Sequence, residues 1–428
     1  MNYKEAIQFL HQEAGRGIQL GLERMRDFLN ELGNPQEACN IIHVAGTNGK
    51  GSTSSFVASM LAEHNLQVGR YSSPAVFEYE EMISIETKDK KEYLSKEMLV
   101  MLVEKMQEVA KRWRQQEREL PTTFEMETAL AFLAFAEWRC DLVVLEVGLG
   151  GKEDATNVIA KPFVSVLTSI SLDHQKLLGD SIRQIALQKA GIIKKNGIVV
   201  TDRQDISAKH VIEQYAREKK AMVYERAQAQ IISMSPEGTE FTYHGQHYQI
   251  GLLGEHQVAN ACLALEAVEH LPQPFVPGTE EKQRGLKRTI WPGRLEIIGK
   301  KPWMIIDGAH NPDGARQLAR TIGQLFPKEN IVGIMGVFRD KNYQEMISAT
   351  KEIFSEVIAV PAEGERALPE ECLQESWLEE GVKNVHTAPN VNVAIAEYKK
   401  RISPEDVIVI FGSLSFLKEI QIGTTGNS

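Results

Sequence analysis

Short apolar runs rich in β-branched residues recur along this chain, and helical patterns separate them. "IIHVAG" (41–46) reads as a short buried strand; a glycine-rich stretch follows, then "STSSFVASMLAEHN", patterned as an amphipathic helix. "DLVVLEVGLGG" (141–151) and "PFVSVLTSISLDH" (162–174) repeat the arrangement of an apolar strand running into a polar or glycine-rich end. The runs are continuous rather than alternating, which predicts a parallel sheet covered on both faces. Strands alternating with helices predict a doubly wound α/β fold. A second series starts near residue 296. "WMIIDGAHNP" (303–312) reads as strand then turn, "GARQLARTIGQLF" as a helix, and "NIVGIMGVF", "EVIAVP" and "DVIVIFGSL" as further strands. The Pro-Gly of "IWPGRLEII" is a turn signal between the two series. The expected division is a larger α/β domain over 1–293 and a smaller Rossmann-like α/β domain over 294–428.

Composition narrows the function classes. A chain of 428 residues exceeds one ordinary core, and its 43% apolar and 25% charged residues are those of a globular protein. A net charge of −10 argues against nucleic-acid or anionic-membrane partners. Cys39, Cys140, Cys262 and Cys372 form no C-x-x-C pair and read as reduced cysteines. "MNYKEAIQFLHQEAG" lacks the apolar segment of a signal peptide, and no apolar run approaches the roughly 20 residues of a membrane helix. A cytoplasmic protein is expected, and a monomer, because the surface carries no dimer signature. "GTTGNS" reads as a frayed tail.

The chemistry starts at "HVAGTNGKGSTSS" (43–55). The spacing departs from G-x-x-x-x-G-K-[ST], yet the context of strand, glycine-rich turn and helix is the one a phosphate loop requires. N–H groups around Gly46, Gly49 and Gly51 can converge on an anion at the positive end of the helix. Lys50 would lie along the outer phosphates and Ser52 would reach a Mg²⁺ between them. A nucleotide enzyme also needs groups at the carboxyl ends of neighbouring strands. Glu146 sits near the end of an apolar strand, where it calls for a cation or a hydrogen-bond network; a plain salt bridge is the simpler alternative. His174 follows another strand end, beside Asp173, where metal, phosphate and purely structural roles all stay open. Lys189 in "SIRQIALQKAGIIKK" falls on the apolar stripe with Ile182, Ile185, Ala186, Ile192 and Ile193. A lysine there must snorkel, find an anion or lose its charge. A neutral amine can also take up CO₂ as a carbamate.

Taken together, "LGLERM" (20–25), "HVAGTNGKGS" (43–52), "SSP" (72–74), "TTFEMETALAF" (122–132), "EVGLGGKEDATN" (146–157), "TSISLDH…LGD…QKAGIIK" (168–194), "GEHQVANA" (254–261), "WPGR" (291–294) and "DGAHNP" (307–312) resemble the folylpolyglutamate synthase/dihydrofolate synthase family of the Mur ligase superfamily. The resemblance implies an ATP-dependent amide ligase that phosphorylates a folate carboxylate and joins it to L-glutamate. It implies a two-domain Mur ligase-like architecture: a P-loop-type, mostly parallel sheet domain and a Rossmann-like C-terminal domain. Gly49, Lys50, Gly51 and Ser52 match its phosphate loop. Ser73 and Glu146 match ligands of one Mg²⁺, His174 a ligand of the second, and Lys189 the family's carbamylated (N6-carboxylated) lysine. Asn260, Arg294 and Asp307 match its ATP contacts, the last two across the domain cleft, and His310 lines that cleft. Without the resemblance, Asn260 reads as a helix-interior Asn and Arg294 and Asp307 as interdomain ion-pair residues. The family's folate contacts lie around "GIQLGLERM", "TTFEM" and "EDATN", so Thr123, Phe124 and Glu125 are implied folate contacts.

This chain departs from the pattern at one loop. S-P-H-L-x-x-F-N-E-R-I becomes "SPAVFEYEEMI", with Ala75, Glu80 and Met82 at the His, Asn and Arg positions. "GGRLDATN" also becomes "GGKEDATN", with Lys152 and Glu153. The ATP motifs are untouched. The expected activity is glutamate addition to a reduced folate, with dihydropteroate as a second candidate acceptor. A Mur-like ligase acting on a different carboxylate is the alternative. A nucleotide-binding regulator is disfavoured because Glu146, His174 and Lys189 occur together, and a dinucleotide oxidoreductase because "GLGG" does not open G-x-G-x-x-G.

Overall fold

The structure is a computed structural model that describes residues 1–13, 21–75, 77–364, 366–401, 403–413 and 420. Residues 17–20 of the expected folate-contact stretch and the "GTTGNS" tail lie outside them. The chain divides into two compact units. One holds Met1–Ala229, Tyr243–Tyr248 and Ala259–Thr289, and the other Gln230–Thr242, Gln249–Val258 and Ile290–Ser428.

The first unit is built on an eight-stranded sheet. In chain order its strands are β1 (Ile41–Ala45), β2 (Val68–Tyr71), β3 (Ile83–Glu86), β4 (Lys91–Tyr93), β5 (Leu142–Glu146), β6 (Val164–Leu167), β7 (Ile198–Thr201) and β8 (Met222–Glu225). They lie in the order β4-β3-β2-β5-β1-β6-β7-β8. Six strands run parallel, and the β3–β4 hairpin adds an antiparallel edge. The order reverses about β1, and a reversal opens a crevice at the carboxyl ends of the strands. β1 and β5 are buried at every position, which accounts for their continuous apolar spelling.

Register fixes which side chains share a face. Tyr71, Ile83, Ile85, Val143 and Leu145 join a core with Phe28, Trp113, Phe132 and Phe135. Ala45, Leu167 and Val199 join a second cluster with Ile185, Ala190 and Val211. Both clusters lie on one side of the sheet. The helix Lys50–Glu63 covers the opposite side. It is buried from Ser52 to Glu63, so the amphipathic pattern expected there is not realised. The helix Thr279–Arg288 explains the difference. Gly285 lies so close to the backbone of Met60 that a side chain would not fit, so the second helix covers what would be a solvent face.

A three-stranded sheet follows, from β9 (Gln230–Ser235), β10 (Gly238–Tyr243) and β11 (Gln246–Ile250). The last sheet has six strands: β12 (Glu296–Lys300), β13 (Trp303–Asp307), β14 (Ile331–Met335), β15 (Glu356–Ala359), β16 (Val385–Thr387) and β17 (Val407–Phe411), ordered β12-β13-β17-β14-β15-β16. All neighbours run parallel except the β12–β13 pair. Its core includes Ile305, Leu318, Met335, Trp377 and Phe411. "PFVSVLTSISLDH" is a strand only to Leu167. The residues after it form a loop that the next element uses. Among the described residues, no helix is long and apolar enough to cross a membrane.

Candidate functional site

The loop after β1 is held open by backbone geometry. Gly49 takes φ 86°, a left-handed conformation, and heads the helix Lys50–Glu63 without a side chain to cap it. The N–H groups of the first turn, where Gly51 and Ser52 lie, therefore meet no capping side chain, an arrangement suited to an anion. The segment after β6 braces the loop. Thr47 N donates to Ser169 O at 2.8 Å, Thr47 Oγ1 donates to Ser171 O at 3.1 Å, and Ser171 N donates back to Thr47 Oγ1. Lys50 Nζ donates to Thr47 O at 3.1 Å, which folds the amine back over the loop. Asn260, on the helix Glu255–Glu269, places its amide oxygen where a Gly49 side chain would go. So two of the expected nucleotide residues meet, and Gly49 is required twice, by its φ and by its neighbour.

Two further residues converge on this loop. Glu146 ends β5 in register with Val44 of β1, and Val147 N donates to Val44 O at 2.9 Å. It is buried and on the sheet face that carries the helix Lys50–Glu63. Lys189 is only 4% exposed, and its Nζ donates to Gly46 O at 2.6 Å. It does not snorkel. Burial pushes its amine down to about 7, and Lys50 adds to the fall. The strap that holds it comes from "GGKEDATN". Lys152 N donates to Gln188 O, and Asn157 Nδ2 donates to Lys152 O and Gly191 O. Asp154 ties the same strap back, accepting from Leu149 N and Thr156 N, and His43 meets Thr156 Oγ1 at 2.9 Å.

The remaining expected residues are more dispersed. His174 adopts a left-handed φ of 49° at the head of the short helix Gln175–Leu178, and its ring is half-exposed with Asp173 3.9 Å away. Ser73 is part-buried, just past β2. Among the described residues no group of three or more His, Cys, Asp or Glu is gathered for a metal ion. The expected set has only two residues of those types, with a serine hydroxyl and a lysine completing it. In the second unit, Asp307 ends β13. Its carboxylate accepts from Leu295 N and Ala309 N, both at 2.9 Å, and so pins "PGRL" to "DGAHNP". Burial raises its pKa, and Arg294 opposes the rise. Arg294 Nη1 and His310 Nδ1 both donate to Gly308 O, at 3.4 and 2.9 Å.

On the expected folate side, Phe124 lies across Gly148 and 6.2 Å from the Tyr71 ring. Thr123 starts its helix and is part-buried. Glu125 closes a capping box with Thr122, and Arg24 pairs with it at 2.8 Å, so the structure gives this carboxylate an architectural task. The sequence did not single out Glu127, two residues along. Tyr79, from the altered loop, donates to Glu127 at 3.2 Å, and burial lifts its carboxyl to about 7. The native state therefore holds more protons than the unfolded chain between the ordinary 4.5 and about 7, and stability falls as pH rises through that window. Glu127→Gln should flatten the slope, which amounts to at most about 3 kcal/mol. Melting temperatures of both proteins at about pH 5 and about pH 8 test it, and parallel profiles would refute it.

The comparisons agree with this layout. The Mur ligase middle domain model matches residues 44–268, and the model of the Mur ligase glutamate ligase domain matches residues 293–414. The dihydrofolate synthase/folylpolyglutamate synthase of Bacillus subtilis is 34% identical, over 98% of each chain. The folylpolyglutamate synthase of Lacticaseibacillus casei is 36% identical, over 97% of this chain and 96% of the relative. The Mycobacterium tuberculosis folylpolyglutamate synthase complexed with ADP superposes with a TM-score of 0.86 at 30% identity, covering 99% of this chain and 98% of that one. A Mur ligase fold and relatives that match nearly its whole length place this chain in the folylpolyglutamate synthase/dihydrofolate synthase family of ATP-dependent ligases.

Proposed function

We propose that this protein uses ATP to join L-glutamate to the carboxylate of a reduced folate, and that dihydropteroate is a second acceptor. The observation that carries the reading is the convergence of Lys50, Glu146 and Lys189 on an uncapped helix N-terminus. The γ-phosphoryl group passes from ATP to the acceptor carboxylate, giving an acyl phosphate and ADP. The amine of glutamate then attacks the acyl carbon. A C–N bond forms, the C–O bond to phosphate breaks, and phosphate and a proton leave. Both reactants of the first step are anions, so cationic groups at their meeting point lower its barrier. Gly49, Gly51, Ser52 and Lys50 bind the phosphates, and Asn260, Arg294 and Asp307 complete the nucleotide site. His310 belongs to the same "DGAHNP" motif as Asp307, and Thr123, Phe124 and Glu125 form the folate side. The proposed domain division is 1–293 and 294–428.

The donor chemistry suits Mg²⁺, a hard ion that keeps several waters and takes few protein oxygens. Ser73 and Glu146 would hold one ion. His174 and an N6-carboxylated Lys189 would hold a second. Bound Mg²⁺ supplies charge neutralisation at the phosphates. Lys189 suits carboxylation because its buried amine is neutral over much of the range above about 7. We place the protein in the cytoplasm as a monomer.

Purified protein with MgATP and L-glutamate should release ADP when tetrahydrofolate is added, and the product should gain the mass of a glutamate residue. Dihydropteroate in the same assay tests the second acceptor. Product from tetrahydrofolate alone would confine the enzyme to folate elongation. ATP binding with no product from either acceptor would overturn the proposal in favour of a ligase with another carboxylate substrate.

A further inference from the structure

We propose that Arg70 is a positioning residue that holds Glu146 in place at the phosphate loop. The inference rests on Glu146 having the metal-ligand role proposed above.

Arg70 is one of the largest fully buried side chains in the molecule, at 2% exposure. It lies in β2 opposite Val144 of β5 on one side and Ser84 of β3 on the other. Paired residues of neighbouring strands point to the same face, and so do residues two apart in one strand. Glu146 is two residues beyond Val144, and Glu86 is two beyond Ser84. Arg70 therefore has a carboxylate diagonal to it on each side, on the face covered by the helix Lys50–Glu63. Glu86 and Glu146 are buried too.

The outer end of this row is anchored. Ser59 Oγ donates to Glu86 at 2.8 Å, and Arg288 Nη2 reaches the same carboxylate at 3.3 Å. Arg288 and Arg284 also grip Glu63, each at 2.8 Å. The row thus runs from a fixed ion-pair network through Glu86 and Arg70 to Glu146. A guanidinium stays charged even when buried, so its attraction reaches both carboxylates. The electrostatics agree: burial depresses the Arg70 pKa, and Glu86, then Tyr93 and Glu146, pull it back up. An apolar residue at 70 would leave both buried carboxylates without the cation between them, and Glu146, no longer held, would shift. That shift moves an oxygen donor away from the loop after β1.

The test is Mn²⁺ binding, followed by the paramagnetic resonance signal of free Mn²⁺, with and without ADP. Arg70→Met should weaken Mn²⁺ binding at least about tenfold, the range seen when a partner of a metal ligand is removed. ADP binding in the absence of metal should be unchanged, and Arg70→Lys, which keeps the charge, should recover most of the loss. If Arg70→Met does not fold, Arg70→Lys carries the test with a smaller loss of Mn²⁺ affinity and wild-type ADP affinity. Wild-type Mn²⁺ affinity in the folded Arg70→Met protein, or in Arg70→Lys where that alone folds, would overturn the proposal. Glu146→Ala separates the two claims: if it binds Mn²⁺ like the wild type, the metal role of Glu146 fails, and the proposal falls with it.

Discussion

Lys189→Ala should lower turnover by about a thousandfold, roughly 4 kcal/mol of transition-state stabilisation, while ADP binding changes no more than a few-fold. The side chain lies deep in the first unit and reaches the loop from below, at Gly46 O. It is held in place by the strap at 149–157 rather than by the N–H groups proposed to bind nucleotide, so its loss should spare the proposed phosphate cradle. The amine is mostly neutral above about 7, because burial and Lys50 both disfavour the ammonium form. Only the neutral form takes up CO₂. Turnover should therefore fall as pH drops through about 7, and isotope-labelled bicarbonate should give a carbamate resonance in the wild type that Lys189→Ala lacks. Lys189→Arg keeps a cation but cannot form the carbamate, so it should be as inactive as the alanine variant. Wild-type turnover in either variant would sink the assignment.

Much of the fold was legible because parallel strands buried on both faces spell themselves out. β1, β5, β14 and β17 are apolar at nearly every position, and each falls inside a run read as a strand. The turn from β1 into the helix Lys50–Glu63 was legible from its order of strand, glycines and helix, and the burial of Lys189 from a charge on an apolar stripe. Other features were hidden for physical reasons. The helix Lys50–Glu63 looks amphipathic because its serines are polar, yet Ser52, Ser54, Ser55 and Ser59 are all buried, and at Ser59 and Met60 a helix more than two hundred residues away in sequence packs on it. Glu125 reads as a ligand contact, and the use of its Oε2 by both a capping box and Arg24 was not legible. Arg70 was missed altogether. Its signal is there in "VGRYSS", an arginine one position out of phase with Tyr71 in a strand. Only the register with β3 and β5 reveals that two carboxylates share its face.

Gly49→Ala should weaken ADP binding at least about a hundredfold, roughly 2.8 kcal/mol, and lower the melting temperature as well. Two separate penalties fall at this position. The φ of 86° is left-handed, which costs an L-residue about 1–2 kcal/mol. The added methyl would also overlap the Asn260 amide, so either the loop or the helix Glu255–Glu269 must move. Gly33 separates the two effects. It has the same φ of 86°, but nothing lies within 4 Å of where its side chain would go. Gly33→Ala should therefore lose stability through the backbone alone and bind ADP like the wild type. The double variant Gly49→Ala/Asn260→Ala removes the overlap and keeps the strain. It should regain part of the lost stability but little of the affinity, because a loop turned away from left-handed φ no longer presents its N–H groups to phosphate. Undiminished ADP binding by Gly49→Ala would mean that phosphate is not held at this helix N-terminus.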